Sequence, residues 1–212
     1  MKVQKTVGVT GGIGAGKSII CRIFHAMGYP VFYSDEVAKN IINSEPDVIK
    51  SITELFGSKA YEGSAYNRTF IAQQVFEDQN LLESLNQIVH PAVRQAFAQW
   101  KSEQDAPILF NEAAILFETG MHKNYDFMLL VTAPIEIRIQ RVMERDQVSA
   151  EAVQKRMGKQ WSDAKKMPLA DFCIVIIKGV VFASGELPLF PVCTASTLIA
   201  GHICPVVDWT PH

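Results

Sequence analysis

Gly11-Gly12-Ile13-Gly14-Ala15-Gly16-Lys17-Ser18 has the residue types and spacing of a phosphate cradle. Glycines let a backbone curl until successive N–H groups point inward at oxygens. A helix opening directly after the curl adds the positive end of its dipole. Lys17 is placed to neutralise β- and γ-phosphate charge, and Ser18 offers a hydroxyl to a Mg²⁺ ion. The full pattern Gly-x-x-x-x-Gly-Lys-Ser points to a bound nucleoside triphosphate, contacted from Gly12 to Ile19. Alone it does not separate a kinase from a GTPase or a motor ATPase.

Two more sets of residues bear on such chemistry. Asp35 follows a short β-rich run, Val31-Phe32-Tyr33. Ligands of open parallel sheets bind beyond the strand C-termini, so a carboxylate there could take a proton from an attacking hydroxyl. Asp is also a favoured N-cap, and a helical pattern starts at this point; spacing leaves both readings open. Arg138, Arg141 and Arg145 recur at helical spacing, opposite Ile135, Ile139 and Val142. They read either as a solvated basic face paired with Glu136 and Glu144 or as cationic clamps for a moving phosphoryl group. Arg156, Lys159 and Gln160 are weaker candidates in the polar stretch that follows, which reads as a lid.

The elements needed to position these groups are legible. Lys5 to Thr10 reads as a buried strand before the loop. Ile20, Ile23, Phe24 and Met27 trace a helix after it, closed by Gly28 and Pro30. Further strands are expected at Pro107 to Phe110, Phe127 to Val131 and Phe172 to Ile177, with helices between. His90-Pro91 is expected to interrupt one helix and start another. Alternating strands and helices argue an α/β fold with a parallel sheet of about five strands. The long helical stretch between the second and third strands reads as an insertion.

Composition excludes several classes. The 212 residues carry a net charge of −2, with 48% hydrophobic and 20% charged residues, which argues against a nucleic-acid partner. The four cysteines show neither Cys-x-x-Cys nor metal spacing with His, so reduced thiols are expected. The N-terminus lacks an apolar signal core, and a cytoplasmic protein is expected.

Taken together, further segments resemble the dephospho-coenzyme A kinases. They are Val9 to Ser18, Asp35-Glu36-Val37-Ala38, Val89-His90-Pro91, Ala114-Ile115-Leu116-Phe117-Glu118, Arg141 to Asp146, Arg156-Met157 through Gln160, and Lys166 to Phe172. The resemblance runs to about residue 175. It implies a P-loop kinase core flanked by helices, a helical acceptor-binding insertion and a lid. Its boundaries fall at 1–34 (core), 35–100 (insertion), 101–144 (core), 145–166 (lid) and 167–177 (last core strand). The implied reaction is phosphorylation of the ribose 3′-hydroxyl of dephospho-CoA by ATP with Mg²⁺. Asp35 matches the base, Lys17 and Ser18 the phosphate and metal positions, and Arg141 and Arg145 the arginines near the phosphates. His90 and Glu118 match positions on the acceptor side. The expected partners are ATP and dephospho-CoA, with no nucleic acid or membrane, and the chain is expected to be a monomer or weak homo-oligomer.

Residues 178–212 break the pattern. Charge almost vanishes, and Pro188, Pro191 and Pro205 rule out a continuous helix. The readings are a shifted reading frame, a divergent ending, or a membrane segment from Leu187 to Val207. The abrupt loss of charge favours the first.

Overall fold

The computed structural model describes residues 4–177 and the backbone of 180–184. In chain order the elements are β1 (Lys5–Thr10), α1 (Lys17–Ala26), β2 (Val31–Tyr33), α2 (Ser34–Ser44), α3 (Pro46–Phe56), β3 (Tyr61–Glu62), β4 (Ala65–Tyr66), α4 (Arg68–Glu77), α5 (Gln79–Ser102), β5 (Ile108–Glu112), β6 (Phe127–Thr132), α6 (Ile135–Asp146), α7 (Ala150–Met157), α8 (Asp163–Lys166), β7 (Phe172–Ile177) and β8 (Val180–Ser184). The chain forms two compact units, one from Met1–Val31 with Pro107–His212, the other from Phe32–Ala106.

The strands pair into a sheet of order β2-β5-β1-β6-β7-β8. Its core is the expected parallel sheet of five strands flanked by helices. β1 lies between β5 and β6, parallel to both, with Val9 opposite Glu112 on one side and Leu129 on the other. β6 continues in parallel to β7. Val7, Val9, Leu109, Phe110 and Leu129 to Val131 are buried, as strands covered on both faces require. Phe24 of α1 stacks on Phe110 of β5 with ring centroids 4.0 Å apart. Gly28 takes a φ of +88° after the C-cap Met27, which ends α1 where expected.

The second unit packs α2, α3, α4 and α5 around Ile41, Val48, Ile52, Ala60, Ile71 and Val89. Two features differ from the sequence reading. α5 runs unbroken through Pro91, although proline removes a helical N–H. Leu85, Ile88 and Val89 before the proline and Ala92, Val93 and Ala96 after it pack on the same core cluster. This packing outweighs a cost of about 3 kcal/mol. The second feature is a small hairpin, β3–β4, turning at Gly63 with φ +63°. Its two-residue strands are too short for an alternation pattern to register.

At the other sheet edge β8 pairs antiparallel with β7, Ile177 opposite Val180. The sequence reading had no strand there. The atypical segment beyond Ser184, with the membrane reading of Leu187 to Val207, lies outside the described residues.

Candidate active site

β1 ends at Thr10, fully buried, whose hydroxyl donates to the Ala114 carbonyl at 3.2 Å. The chain then curls through the glycines into α1, with Gly16 as N-cap. Gly14 has φ +77°, and a Cβ there would stand 2.5 Å from the Arg138 carbonyl oxygen. The loop therefore demands glycine for its backbone shape and for its close approach to α6. Lys17 Nζ donates to the Gly11 carbonyl at 3.0 Å and lies 3.6 Å from Glu112 Oε1. The N–H groups of Ile19 and Ile20 donate to the Gly16 carbonyl, so α1 opens directly at the loop, where a helix N-terminus favours phosphate.

Glu112 was absent from the sequence-derived candidates. It closes β5, is 8% exposed, and is held beside β1 by the parallel register. An acid ending an apolar strand was the available signal, but the expected strand stopped at Phe110, two residues short of it. Its charge is felt by Cys21 on α1. Burial pushes the Cys21 thiol up to about 12, with Glu112 adding to the rise and Lys17 opposing it.

The three arginines of α6 do not form one solvated face. Arg138 is buried beside Val142, and Ile135, expected on the apolar face, is 55% exposed. Arg138 Nε donates to the Ile13 carbonyl at 3.0 Å, and Nη1 donates to Asp163 Oδ2 at 2.9 Å. A Cβ on Gly12 would overlap Arg138 Nη2. Arg141 donates to the Gly14 carbonyl at 3.3 Å and to the Ile176 carbonyl at 3.4 Å. Arg145 is largely exposed and forks onto Asp146, which also accepts from Arg156. Hydrogen bonding from Arg145 first, then the charges of both arginines, holds the Asp146 carboxyl below the usual range.

The stretch after α7 is less solvated than its composition suggests. Gln160 Oε1 accepts the Ile13 N–H at 2.9 Å. Asp163 accepts from the Thr132 hydroxyl and from Arg138. Lys166 is fully buried, its Nζ 2.7 Å from Glu118 Oε1. The same Glu118 oxygen accepts the Trp161 N–H at 3.0 Å. Glu118 thus stands in the first unit as a partner of this stretch.

Asp35 and His90 belong to the second unit. Asp35 is the second residue of α2; Tyr33 occupies the N-cap position, without a side-chain cap bond. The N-cap reading is therefore corrected: Asp35 lies in the first turn, where a carboxylate is favoured by the helix dipole. His90 is in α5, half-buried, with burial and then the Arg94 charge holding its pKa below 6.5.

The loop has the glycines and the lysine that a nucleoside triphosphate requires, and Ser18 and Glu112 carry oxygens of the hard type that would suit Mg²⁺. Among the described residues no cluster of three or more His, Cys, Asp or Glu could cage a metal.

A family model described as Dephospho-CoA kinase matches residues 5–178. The dephospho-CoA kinase of Bacteroides fragilis is 36% identical over 186 residues, 87% of this chain and 87% of that protein. That of Porphyromonas gingivalis is 42% identical over 155 residues, 73% of this chain and 77% of its own. Among solved structures, TT1252 from Thermus thermophilus is similar with a TM-score of 0.77 and 32% identity, covering 83% of this chain and 90% of that one. The dephospho-CoA kinase from Campylobacter jejuni has a TM-score of 0.59 and 25% identity, covering 81% and 87%. With the loop, the lysine and the strand order in agreement, the chain belongs to the dephospho-CoA kinase family.

Proposed function

We propose that this chain transfers the γ-phosphoryl group of ATP to the ribose 3′-hydroxyl of dephospho-CoA, giving CoA and ADP, the last step of coenzyme A assembly. The observation that carries the reading is the family match over residues 5–178, combined with a phosphate loop whose glycines and lysine are intact. The 3′-oxygen forms a bond to Pγ, the bond from Pγ to the bridging oxygen breaks, and ADP leaves. The hydroxyl proton passes to Asp35, our assignment for the base from its match to the family motif. The transition state of such transfers is largely dissociative, so positioning outweighs base strength.

Lys17 holds the β- and γ-phosphates after exchanging its Gly11 contact for phosphate oxygen. Arg141, which donates to the Gly14 and Ile176 carbonyls over long distances of 3.3 and 3.4 Å, is the cation we assign to the charge that spreads over the γ-phosphoryl oxygens. Arg145 is the second, and it must leave Asp146 to reach the nucleotide. Ser18 and Glu112 are the donors we assign to Mg²⁺, which when bound neutralises phosphate charge and orients the oxygens. We assign acceptor recognition, with His90, to the unit spanning Phe32–Ala106, and the lid to the region of α7. Glu118 we assign to the fold rather than the acceptor, because its Oε1 serves Lys166 and Trp161. Among the described residues no helix is long and apolar enough to cross a membrane. We assign the reaction to the cytoplasm.

The test is chromatographic. The purified chain with ATP, Mg²⁺ and dephospho-CoA is expected to yield CoA and ADP in equal amounts. Phosphorylation of nucleosides but not of dephospho-CoA, or ATP binding without CoA formation, would overturn the reading.

A further inference from the structure

Ile13 lies in the phosphate loop with both of its backbone polar groups held, one in each of the two peptide units that flank it. Its N–H donates to Gln160 Oε1 at 2.9 Å, and its carbonyl accepts from Arg138 Nε at 3.0 Å. Both holders lead to the same short stretch of chain, because Arg138 passes its Nη1 to Asp163 Oδ2 at 2.9 Å. Asp163 is itself fixed by the Thr132 hydroxyl at the end of β6. Trp161 and Lys166, on either side of Asp163, are bound to Glu118. The stretch Gln160–Lys166 is thus fastened at the loop, at the end of β6 and at the turn after β5.

We propose that Gln160 and Asp163 are positioning residues for ATP: they set the curl of the phosphate loop through the two peptide units flanking Ile13, Gln160 directly at its N–H and Asp163 through Arg138 at its carbonyl. Arg138 acts as a brace in this arrangement, distinct from a phosphate clamp. Two of its donor groups are committed to protein acceptors, and its guanidinium lies so close to Gly12 that no side chain fits there. A loop held at Ile13 presents its amides without reorganising when the triphosphate arrives, which favours ground-state binding of ATP. Since the same stretch follows α7 directly, any displacement of α7 toward the nucleotide is felt by the loop through Gln160 and Asp163.

The proposal rests on the loop being the ATP site, and binding is therefore measured apart from turnover. ATP affinity is measured by calorimetry, and the KM of each substrate and kcat are measured on the full chain. The variants are Gln160→Ala, Asp163→Ala, Asp163→Asn, Arg138→Ala and the double variant Arg138→Ala/Asp163→Ala. Gln160→Ala and Asp163→Ala are expected to weaken ATP binding by about tenfold or more, with kcat falling less and the dephospho-CoA KM within about threefold. Asp163→Asn keeps the acceptor oxygen and is expected to recover most of the affinity. The double variant is expected to bind ATP no worse than Arg138→Ala within about threefold, because one linkage is cut twice. Unchanged ATP affinity in Gln160→Ala and Asp163→Ala overturns the proposal. So does additivity in the double variant, or a fall in kcat alone for Arg138→Ala, which would mark a clamp. If Arg138→Ala does not fold, the two Asp163 variants and Gln160→Ala decide. A wild-type chain that fails to bind ATP would instead defeat the reading of the loop itself.

Discussion

Lys166, with none of its side chain exposed, sets its Nζ 2.7 Å from Glu118 Oε1. The contact is an ion pair rather than a well-aligned hydrogen bond, and Glu118 Oε2 is buried without a partner. Removing one member of such a pair strands the other charge. Lys166→Met is expected to cost about 3–5 kcal/mol. Lys166→Met/Glu118→Gln, which removes both charges and keeps an acceptor for Trp161, is expected to recover much of that loss. Urea unfolding of the two variants checks this; equal destabilisation would show that the charges are not coupled.

Asp35→Asn preserves the shape of the side chain at the first turn of α2 and removes its basicity. Turnover is expected to fall by about a hundredfold or more, with ATP affinity unchanged. Near-normal turnover would take Asp35 out of the mechanism.

Gly14→Ala places a Cβ 2.5 Å from a backbone oxygen at φ +77°. No rotamer change relieves that contact, so the loop must deform. ATP affinity is expected to fall by well over tenfold, whereas thermal stability changes by only about 1–3 kcal/mol. Gly28→Ala is the control: φ is +88°, yet no atom lies within 4 Å of the added Cβ. That variant is expected to lose stability and keep its ATP affinity.

Cys21 is fully buried, and burial first, Glu112 second, push its thiol up to about 12. At pH 8 it is protonated in the folded chain. A thiol reagent is expected to leave Cys21 unlabelled in the native protein and to label it in denaturant, as peptide mass spectrometry can read. Rapid native labelling would contradict the packing of α1 on the sheet.

His90 has a folded-state pKa below 6.5, from burial and then Arg94. Well above pH 6.5 both states hold it neutral. As pH falls below that value the unfolded chain takes the proton first, so stability declines until the folded pKa is passed. The wild type is expected to lose more stability between pH 7.5 and pH 5 than His90→Gln does. Parallel pH profiles would exclude His90 as the source.

The phosphate loop was legible because its chemistry is local: glycines, a lysine and a serine in one run between a strand and a helix. The strands were legible for the same reason, as continuous apolar runs bounded by turn residues. What escaped depended on distant partners. Glu112 becomes part of the site only because β5 lies beside β1. Arg138 reads as one of three similar arginines until Asp163 and the Ile13 carbonyl are placed against it. Lys166 sits in a polar stretch, yet a carboxylate far back in the chain draws it into the interior. Pro91 was read by its local chemistry, and the packing of α5 overrode it.

The position of β1 between β5 and β6 has a consequence for synthesis. The strand that carries the phosphate loop leaves the ribosome well before its neighbours, which end at Glu112 and Thr132. At common elongation rates that is a wait of roughly 6–24 s. The unit Phe32–Ala106 is contiguous and meets its own core partners in the interval. The nascent chain therefore exposes an unpaired apolar strand while Phe32–Ala106 is already packed, and the strand of the phosphate loop gains both neighbours only after Thr132 has emerged.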